Sequence, residues 1–180
     1  LAAYGYKPIV VTFAPFATRR VCDQIAVSVA YAKQNVKIVG TDPGITAELN
    51  GGTHMSFEDI ATLRSIPTMT IYDAVDDTQV YQAIKQIMNT DGPCYIRMPR
   101  KAAQPVYDEN YKFALNKADV ITKGNDITIV ASGIMVAESL KEVLKLKEEG
   151  ISAELICANT IKPLDEETIL YSIKKTNNVV

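Results

Sequence analysis

The chain has 180 residues, of which 47% are hydrophobic, and its 19 basic residues are nearly balanced by 21 acidic ones. This is the composition of a globular protein with one domain or two small ones, and it excludes a disordered chain, a collagen and a disulfide scaffold. Residues 1–100 hold 9 basic and 9 acidic side chains and contain no polybasic cluster. We therefore expect neither nucleic acid nor an anionic membrane surface as a partner.

The cysteines Cys22, Cys94 and Cys157 are odd in number and form no C-x-x-C pair. Such usage is typical of a reduced chain, so we expect a cytoplasmic protein without a disulfide or a metal site. No apolar run approaches the ~20 residues of a membrane-spanning helix, and the N-terminus does not resemble a signal peptide. Because Leu1 is not a start methionine and residues 178–180 look like a strand that has only begun, we expect a piece of a longer polypeptide.

The first hundred residues alternate between strand and helix patterns. Short, continuous β-branched runs predict four strands, at residues 8–13, 35–40, 68–72 and 93–98. Apolar residues at helical spacing predict helices over 18–34 and 78–89, and a capping box predicts a further helix, with Ser56 accepting from the backbone N–H of Asp59. Strands that are continuous rather than alternating indicate a parallel sheet with helices on both faces.

A second strand and helix series follows a polar segment. The spacing predicts strands at 126–131 and 151–158 and helices at 135–149 and 165–175. The fold class is thus α/β, with two successive three-layer α/β/α domains of which the second is incomplete. The predicted boundaries are a first domain at 1–100, a linker at 101–125 and a second domain at 126–180.

Two aromatic residues lie where the first strand ends. Phe13 and Phe16 are three positions apart, at the point where the chain leaves the sheet for a helix. They are either ordinary core residues or a stacking platform for a flat heterocycle, and the sequence alone leaves both readings open.

The loop over residues 41–54 is the most informative segment. It packs three glycines and His54, the only histidine of the chain, between a strand and a helix, which favours close backbone approach to a ligand. A lone histidine is often structural, but the Gly-Gly-Thr-His context favours a functional role. Arg97 and Arg100 close the fourth strand, either as surface charges or as ligands of a phosphate. Neither a Gly-x-Gly-x-x-Gly motif nor a Walker loop is present, which disfavours a classical nucleotide-binding domain.

These residues occur in segments that closely resemble the transketolase family, in the split form whose C-terminal half is a separate subunit. The segments are FAPFATRR (13–20), DQI (23–25), NVK (35–37), GGTH (51–54), EDIA (58–61), Arg64, IP (66–67) and DGP (91–93). The resemblance implies a pyrimidine-binding domain over the first hundred residues and the beginning of a transketolase C-terminal domain from about residue 126.

The resemblance also implies an activity, a cofactor and partners. Transketolases move a two-carbon ketol unit from a ketose phosphate to an aldose phosphate with thiamine diphosphate, whose chemistry the protein orients. The diphosphate and its Mg²⁺ would be held by an N-terminal transketolase subunit. The chain alone would then be inactive, and the active enzyme would be a heteromer that self-associates further, acting on sugar phosphates of the pentose phosphate pathway.

Site roles follow from the same motifs. Phe13 and Phe16 would stack on the aminopyrimidine ring, with Arg19 in the same pocket. His54 would be the catalytic residue that bonds substrate oxygens, and Arg100 would hold the phosphate. Asn50 would face the substrate where the family usually has an aspartate, and Arg19 stands where many members have an aromatic residue. The glutamate that activates the cofactor would lie upstream of residue 1.

Three alternatives remain open at this stage. The chain could belong to an enzyme similar to deoxyxylulose-phosphate synthase, or to the beta subunit of a 2-oxoacid dehydrogenase, both of which accept a 2-oxoacid. It could also be a non-catalytic paralogue that serves as a binding or assembly module.

Overall fold

A computed structural model describes residues 1–101 and 103–180. Within these residues the chain forms eight strands: β1 (Ile9–Phe13), β2 (Lys37–Thr41), β3 (Thr70–Asp73), β4 (Cys94–Met98), β5 (Asp119–Thr122), β6 (Ile127–Ala131), β7 (Ala153–Cys157) and β8 (Thr160–Lys162). The α-helices in the same residues are α1 (Ala14–Ala17), α2 (Cys22–Gln24), α3 (Asp59–Arg64), α4 (Asp77–Asn89), α5 (Met135–Glu148) and α6 (Glu166–Thr176). None of the helices described is long and apolar enough to cross a membrane.

The first sheet has the strand order β1-β2-β4-β3-β8, and its first four strands are parallel. One face packs against α3 and the helical segment after β1, through Ile25, Leu63 and their neighbours. The other face packs against α4, through Ala83 and Ile87. The predicted three-layer arrangement around a parallel sheet is therefore confirmed, and it follows from β2, β3 and β4, which are largely buried between the two helical layers.

β8 joins this sheet from the second half of the chain. It pairs antiparallel with β3, where Ile71 faces Lys162 and Tyr72 faces Thr160. Arg64 donates from Nη1 to the carbonyl of Ile161 at 2.7 Å, which fixes the strand from the helical layer. The sequence pattern does not predict β8, because an edge strand of three residues is too short to give a detectable apolar pattern.

The second sheet has the order β5-β7-β6, with β6 and β7 parallel and β5 antiparallel. α5 covers one face through Val136 and Val143, and α6 covers the other through Ile169. Val179 forms a parallel bridge to Thr128, so the strand-like end of the chain extends this sheet beside β6.

Three local predictions need correction. β5 lies inside the segment 101–125 that was predicted to be a linker, because its four residues are flanked by polar turns that hide a short strand. The helix over 18–34 is interrupted: a 3-10 turn at Arg19–Val21 precedes α2, and the chain continues as a π-helix at Ile25–Tyr31.

The capping box at the start of α3 is also absent. Glu58 is the N-cap of this helix and makes no side-chain capping bond. Ser56 is buried, and its Oγ has no hydrogen-bond partner among the described residues. The backbone of Ser56 is used instead, since its carbonyl accepts a hydrogen bond from the N–H of Gly44 at 2.8 Å.

Candidate active site

The carboxyl ends of the parallel strands meet at one edge of the first sheet, where ligands bind in open α/β folds. β1 ends at Phe13, β2 leads into Asp42, β3 ends at Asp73 and β4 leads into Arg100. The loop between β2 and α3 passes over this edge and carries His54. We call this region the carboxyl edge.

An aromatic cluster forms its centre. Phe13 ends β1 in an extended conformation, and α1 begins directly after it with Pro15 in its first turn, which turns Phe16 back toward Phe13. The ring centroids of Phe13 and Phe16 are 5.9 Å apart, and His54 lies edge-on to both, at 5.0 and 5.1 Å. Both phenyl rings are only partly buried. The cluster thus offers exposed aromatic surface rather than a closed core.

His54 is oriented by its own loop. Its Nδ1 lies 2.8 Å from the hydroxyl of Thr53, and its backbone N–H donates to the carbonyl of Gly51 at 3.0 Å. Gly51 has φ 73°, a conformation that other residues adopt only under strain, and this tight turn presents the imidazole to the two phenyl rings. With Nδ1 engaged, Nε2 is the ring nitrogen available to a ligand.

Arg97 is enclosed by two carboxylates. Asp59 accepts from Arg97 Nε and from the Tyr95 hydroxyl, both at 2.8 Å, and Asp73 lies 3.4 Å from Arg97 Nη1. Burial raises the pKa of Asp73 although the Arg97 guanidinium acts in the opposite direction. For Arg97, burial disfavours the charge, but Asp73 and Asp59 outweigh it and raise the pKa. Arg97 therefore stays charged as a structural tie between β4, β3 and α3.

Arg100 has a different environment. Its Nε lies 3.0 Å from Asp42 Oδ1, and its guanidinium carbon lies 5.4 Å from the centroid of Phe13. Nearly half of the side chain is exposed, at 48%. Of the two arginines that the sequence singles out, Arg100 is thus the one placed beside the aromatic cluster with its terminal nitrogens open to a ligand.

Arg19 and Asn50 lie at the margin of the cluster. Arg19 pairs with Glu58 at 3.0 Å, and its Nη2 donates to the carbonyl of Thr53 at 3.5 Å, so it supports the loop that carries His54. Asn50 ends the 3-10 segment Gly44–Asn50 and is partly exposed. The structure thus brings Phe13, Phe16, His54 and Arg100 together, and places Arg19 and Asn50 around them.

Two residues of this site escape the sequence reasoning. Arg20, rather than Arg19, lies over the face of Phe16, with its guanidinium carbon 3.9 Å from the ring centroid. Asp42 is buried behind Arg100. The Arg19-Arg20 pair was visible in the sequence, but only the fold shows which member turns toward the ring, and nothing local distinguishes Asp42 from an ordinary loop residue.

Comparison with known proteins gives a consistent result. Residues 1–105 match the family described as transketolase, pyrimidine binding domain, and residues 116–180 match that described as transketolase, C-terminal domain. Over the whole chain, 53% of residues are identical to the 6-deoxy-6-sulfo-D-fructose transketolase subunit of Clostridium sp. (strain MSTE9), and 35% to one of the apulose-4-phosphate transketolase subunits of Phocaeicola vulgatus. The chain covers 56% and 58% of these two relatives.

Solved structures agree with the sequence relatives. A structure described as a split gene transketolase, inactive beta4 tetramer, superimposes with a TM-score of 0.90 and 34% identity. The match covers 99% of this chain and 57% of that one. The chain therefore spans little more than half the length of these relatives.

Proposed function

Because the chain belongs to the transketolase family, we propose that it is the C-terminal subunit of a split transketolase. With an N-terminal subunit it would transfer a two-carbon ketol unit from a ketose to an aldose phosphate. The observation that carries this proposal is the convergence of Phe13, Phe16, His54 and Arg100 at the carboxyl edge. Two partly exposed rings, a histidine and an available guanidinium supply a stacking surface, a proton donor and an anion ligand at one place.

The residues present fit the pyrimidine part of thiamine diphosphate. The exposed aromatic surface of Phe13 and Phe16 can lie against a flat ring, and Arg20 holds the ring of Phe16 in place. When bound, the cofactor supplies the carbon nucleophile that cleaves and carries the two-carbon unit. The chain's own aromatic residues would orient the ring and exclude water from one side.

We assign the diphosphate and Mg²⁺ to the partner subunit. No group of three His, Cys, Asp or Glu side chains able to hold a metal ion occurs in residues 1–101 and 103–180. The assignment leaves this chain with the pyrimidine ring and part of the sugar.

His54 and Asn50 would act on the sugar itself. Since Nδ1 of His54 is engaged by Thr53, Nε2 would donate to or accept from a substrate oxygen, and thus hold or move a proton there. The amide of Asn50 both donates and accepts, unlike a carboxylate, and would bind a sugar hydroxyl in either direction. Arg100 would bind the terminal anionic group through its outer nitrogens.

Exposed apolar side chains next to the site support a partner subunit. Ile45, Leu49 and Phe57 project from the loop between β2 and α3, and Leu49 is fully exposed at 100%. Apolar side chains grouped beside an active-site loop are expected where another chain covers it. We propose that the N-terminal subunit covers this surface and that the pair of chains associates further.

A coupled ketol-transfer assay tests the proposal. The full-length chain is mixed with its candidate N-terminal subunit, thiamine diphosphate and Mg²⁺, with fructose 6-phosphate as donor and ribose 5-phosphate as acceptor. We expect turnover only when both chains are present. Turnover that requires pyruvate as donor would replace the proposal by a 2-oxoacid enzyme, and a tight complex without turnover on any donor would support a non-catalytic paralogue.

A further inference from the structure

Three cations at the carboxyl end of β4 are each paired with a carboxylate of the chain. Arg97 lies between Asp59 and Asp73, Arg100 contacts Asp42, and Lys101 contacts Glu48 at 2.8 Å. At this end of β4, three cations thus lie against four carboxylates. An anion that enters here meets much less positive charge than the count of arginines and lysines suggests.

The side chain of Asp42 is fixed behind Arg100 by burial and by local hydrogen bonds. Its side chain is only 3% exposed, and its backbone has φ 54°, a left-handed conformation that aspartate and asparagine tolerate better than most residues. The backbone N–H donates to the carbonyl of Met98 at 3.0 Å, and Thr41 Oγ1 donates to Oδ2 at 3.1 Å. Oδ1 makes no hydrogen bond of good geometry, so its neighbour Arg100 Nε is held by charge.

This contact fixes what Arg100 can offer. With Nε against Asp42, a ligand can reach only the outer fork formed by Nη1 and Nη2. A carboxylate beside a guanidinium also cancels most of its charge at the distance of a ligand. Because Asp42 is sealed from solvent, it does not touch the ligand and acts only through Arg100.

We propose that Asp42 is a positioning residue that sets the charge preference of this subsite, so that Arg100 favours a singly charged terminal group, such as a sulfonate, over a phosphate dianion. A phosphate monoester carries about −1.5 to −2 charges at pH 7, whereas a sulfonate carries one. The inference rests on the proposed function, since it assigns the sugar's far end to Arg100. The name of the relative that acts on 6-deoxy-6-sulfo-D-fructose agrees with this preference but does not carry it.

The test compares two donors that differ only in their terminal group, fructose 6-phosphate and 6-deoxy-6-sulfofructose. Asp42→Asn removes the charge, keeps the shape and tolerates the left-handed backbone. In the assembled complex we expect this variant to lower the KM for the phosphate relative to that for the sulfonate by about threefold to tenfold, with kcat changed equally for both donors.

Glu142→Gln is the control, because it removes one carboxylate charge from an exposed ion pair of α5, the helix that covers the second sheet. We expect the KM ratio of the two donors to stay within about twofold in this variant. An unchanged ratio in Asp42→Asn would overturn the proposal, since a purely structural role of Asp42 affects both donors alike.

Calorimetric titration of the same complexes with each sugar separates this inference from the function on which it rests. If the unmodified complex turns over neither donor, the proposed function fails, but the ratio of the two Kd values still decides the role of Asp42. A ratio that shifts toward the phosphate in Asp42→Asn supports the inference, and a constant ratio contradicts it.

Discussion

The carboxyl edge of the first sheet and the layer formed by the second sheet and α6 differ in how fully their buried polar atoms are hydrogen-bonded. At the carboxyl edge, Asp42 and Glu48 have positive φ values, and the buried Ser56 Oγ and Asp59 Oδ1 have no hydrogen-bond partner among the described residues. Such departures from local preference concentrate where a protein binds and reacts. We therefore expect the edge to contribute more to the binding of a ligand and a partner than to the stability of the chain.

In the second region, buried polar side chains are hydrogen-bonded to one another. The buried hydroxyl of Thr128 lies 2.7 Å from that of Ser172 and 2.8 Å from that of Thr176, so the three hydroxyls between β6 and α6 form one hydrogen-bonded group. Asp165 caps α6 and accepts from Thr168. We therefore expect substitutions at the carboxyl edge to change activity most, and substitutions in the second region to change stability most.

The largest effect is expected at His54. In His54→Ala the complex should lose about 10²- to 10⁴-fold in kcat, the range of one general acid or base, while the free energy of unfolding changes by less than about 0.5 kcal/mol. Steady-state kinetics and denaturant unfolding measure the two. Lys141→Ala, which breaks an exposed ion pair of α5, is the control. A large loss of stability in His54→Ala would place this residue in the scaffold instead.

The next largest effect is expected at Gly133, which lies between β6 and α5 and close to Asp73 of the first sheet. A Cβ at Gly133 would lie 2.6 Å from Asp73 Oδ2, and Gly133 has φ 53°. We expect Gly133→Ala to cost about 2–3 kcal/mol of unfolding free energy, because strain at φ adds to the clash. Chemical denaturation measures the change.

Gly150→Ala separates those two causes. Gly150 has φ 84° but open space where its Cβ would lie. Gly150→Ala should therefore lower the free energy of unfolding only by the backbone strain, about 1 kcal/mol. Equal losses in the two variants would show that the approach of Asp73 to Gly133 contributes nothing.

The cap of α6 should contribute less. Asp165 accepts from the backbone N–H of Ala118 at 3.0 Å and from the Thr168 hydroxyl at 2.8 Å. Asp165→Ala is expected to cost about 1–2 kcal/mol, measured by denaturant unfolding. Glu166→Ala, at the exposed neighbouring position, should change stability by less than about 0.5 kcal/mol.

The same residue gives a pH dependence. Burial by itself raises the pKa of Asp165, but the hydrogen bonds from Ala118 and Thr168, together with Lys117, lower it below the ordinary value. A carboxyl group whose pKa is lowered by folding stabilises the protein at pH values above its pKa in the unfolded chain, about 3.9. This stabilisation is lost as the pH falls through the pKa in the folded chain. The difference between the parent chain and Asp165→Ala should therefore shrink below about pH 4. A difference that stays constant down to pH 2 would exclude an ionic contribution.

The smallest effect concerns the aromatic platform. Phe16→Leu keeps an apolar side chain but removes the ring face, so the Kd of the complex for thiamine diphosphate should rise by roughly fivefold to tenfold. Calorimetric titration of the cofactor measures it. Tyr171→Leu, an exposed aromatic residue of α6 in the second region, should leave the Kd unchanged. If both variants bind alike, Phe16 is a core residue only.

The parallel strands could be predicted because each contains a continuous apolar run. In β2, β3 and β4 this run reflects burial between two helical layers, whereas the same kind of run in β1 is largely exposed. β8 could not be predicted, because its partner β3 lies about ninety residues away in the chain and three residues are too few to show a periodic apolar pattern. Phe13, Phe16, His54 and Arg100 were singled out through their motifs, and the fold places them side by side. Asp42 and Arg20 were not singled out, because only the fold shows that Asp42 lies against Arg100 and that Arg20 lies over Phe16.

A cofactor titration tests whether the carboxyl edge is half of a cofactor site that the N-terminal subunit completes. Thiamine diphosphate with Mg²⁺ is titrated by calorimetry into the full-length chain, into the N-terminal subunit and into their mixture. We expect the mixture to bind the cofactor at least tenfold more tightly than either chain alone, and His54→Ala to leave this affinity within about twofold. Full-affinity binding by this chain alone, or equal binding by the N-terminal subunit with and without this chain, would show that the site is not shared.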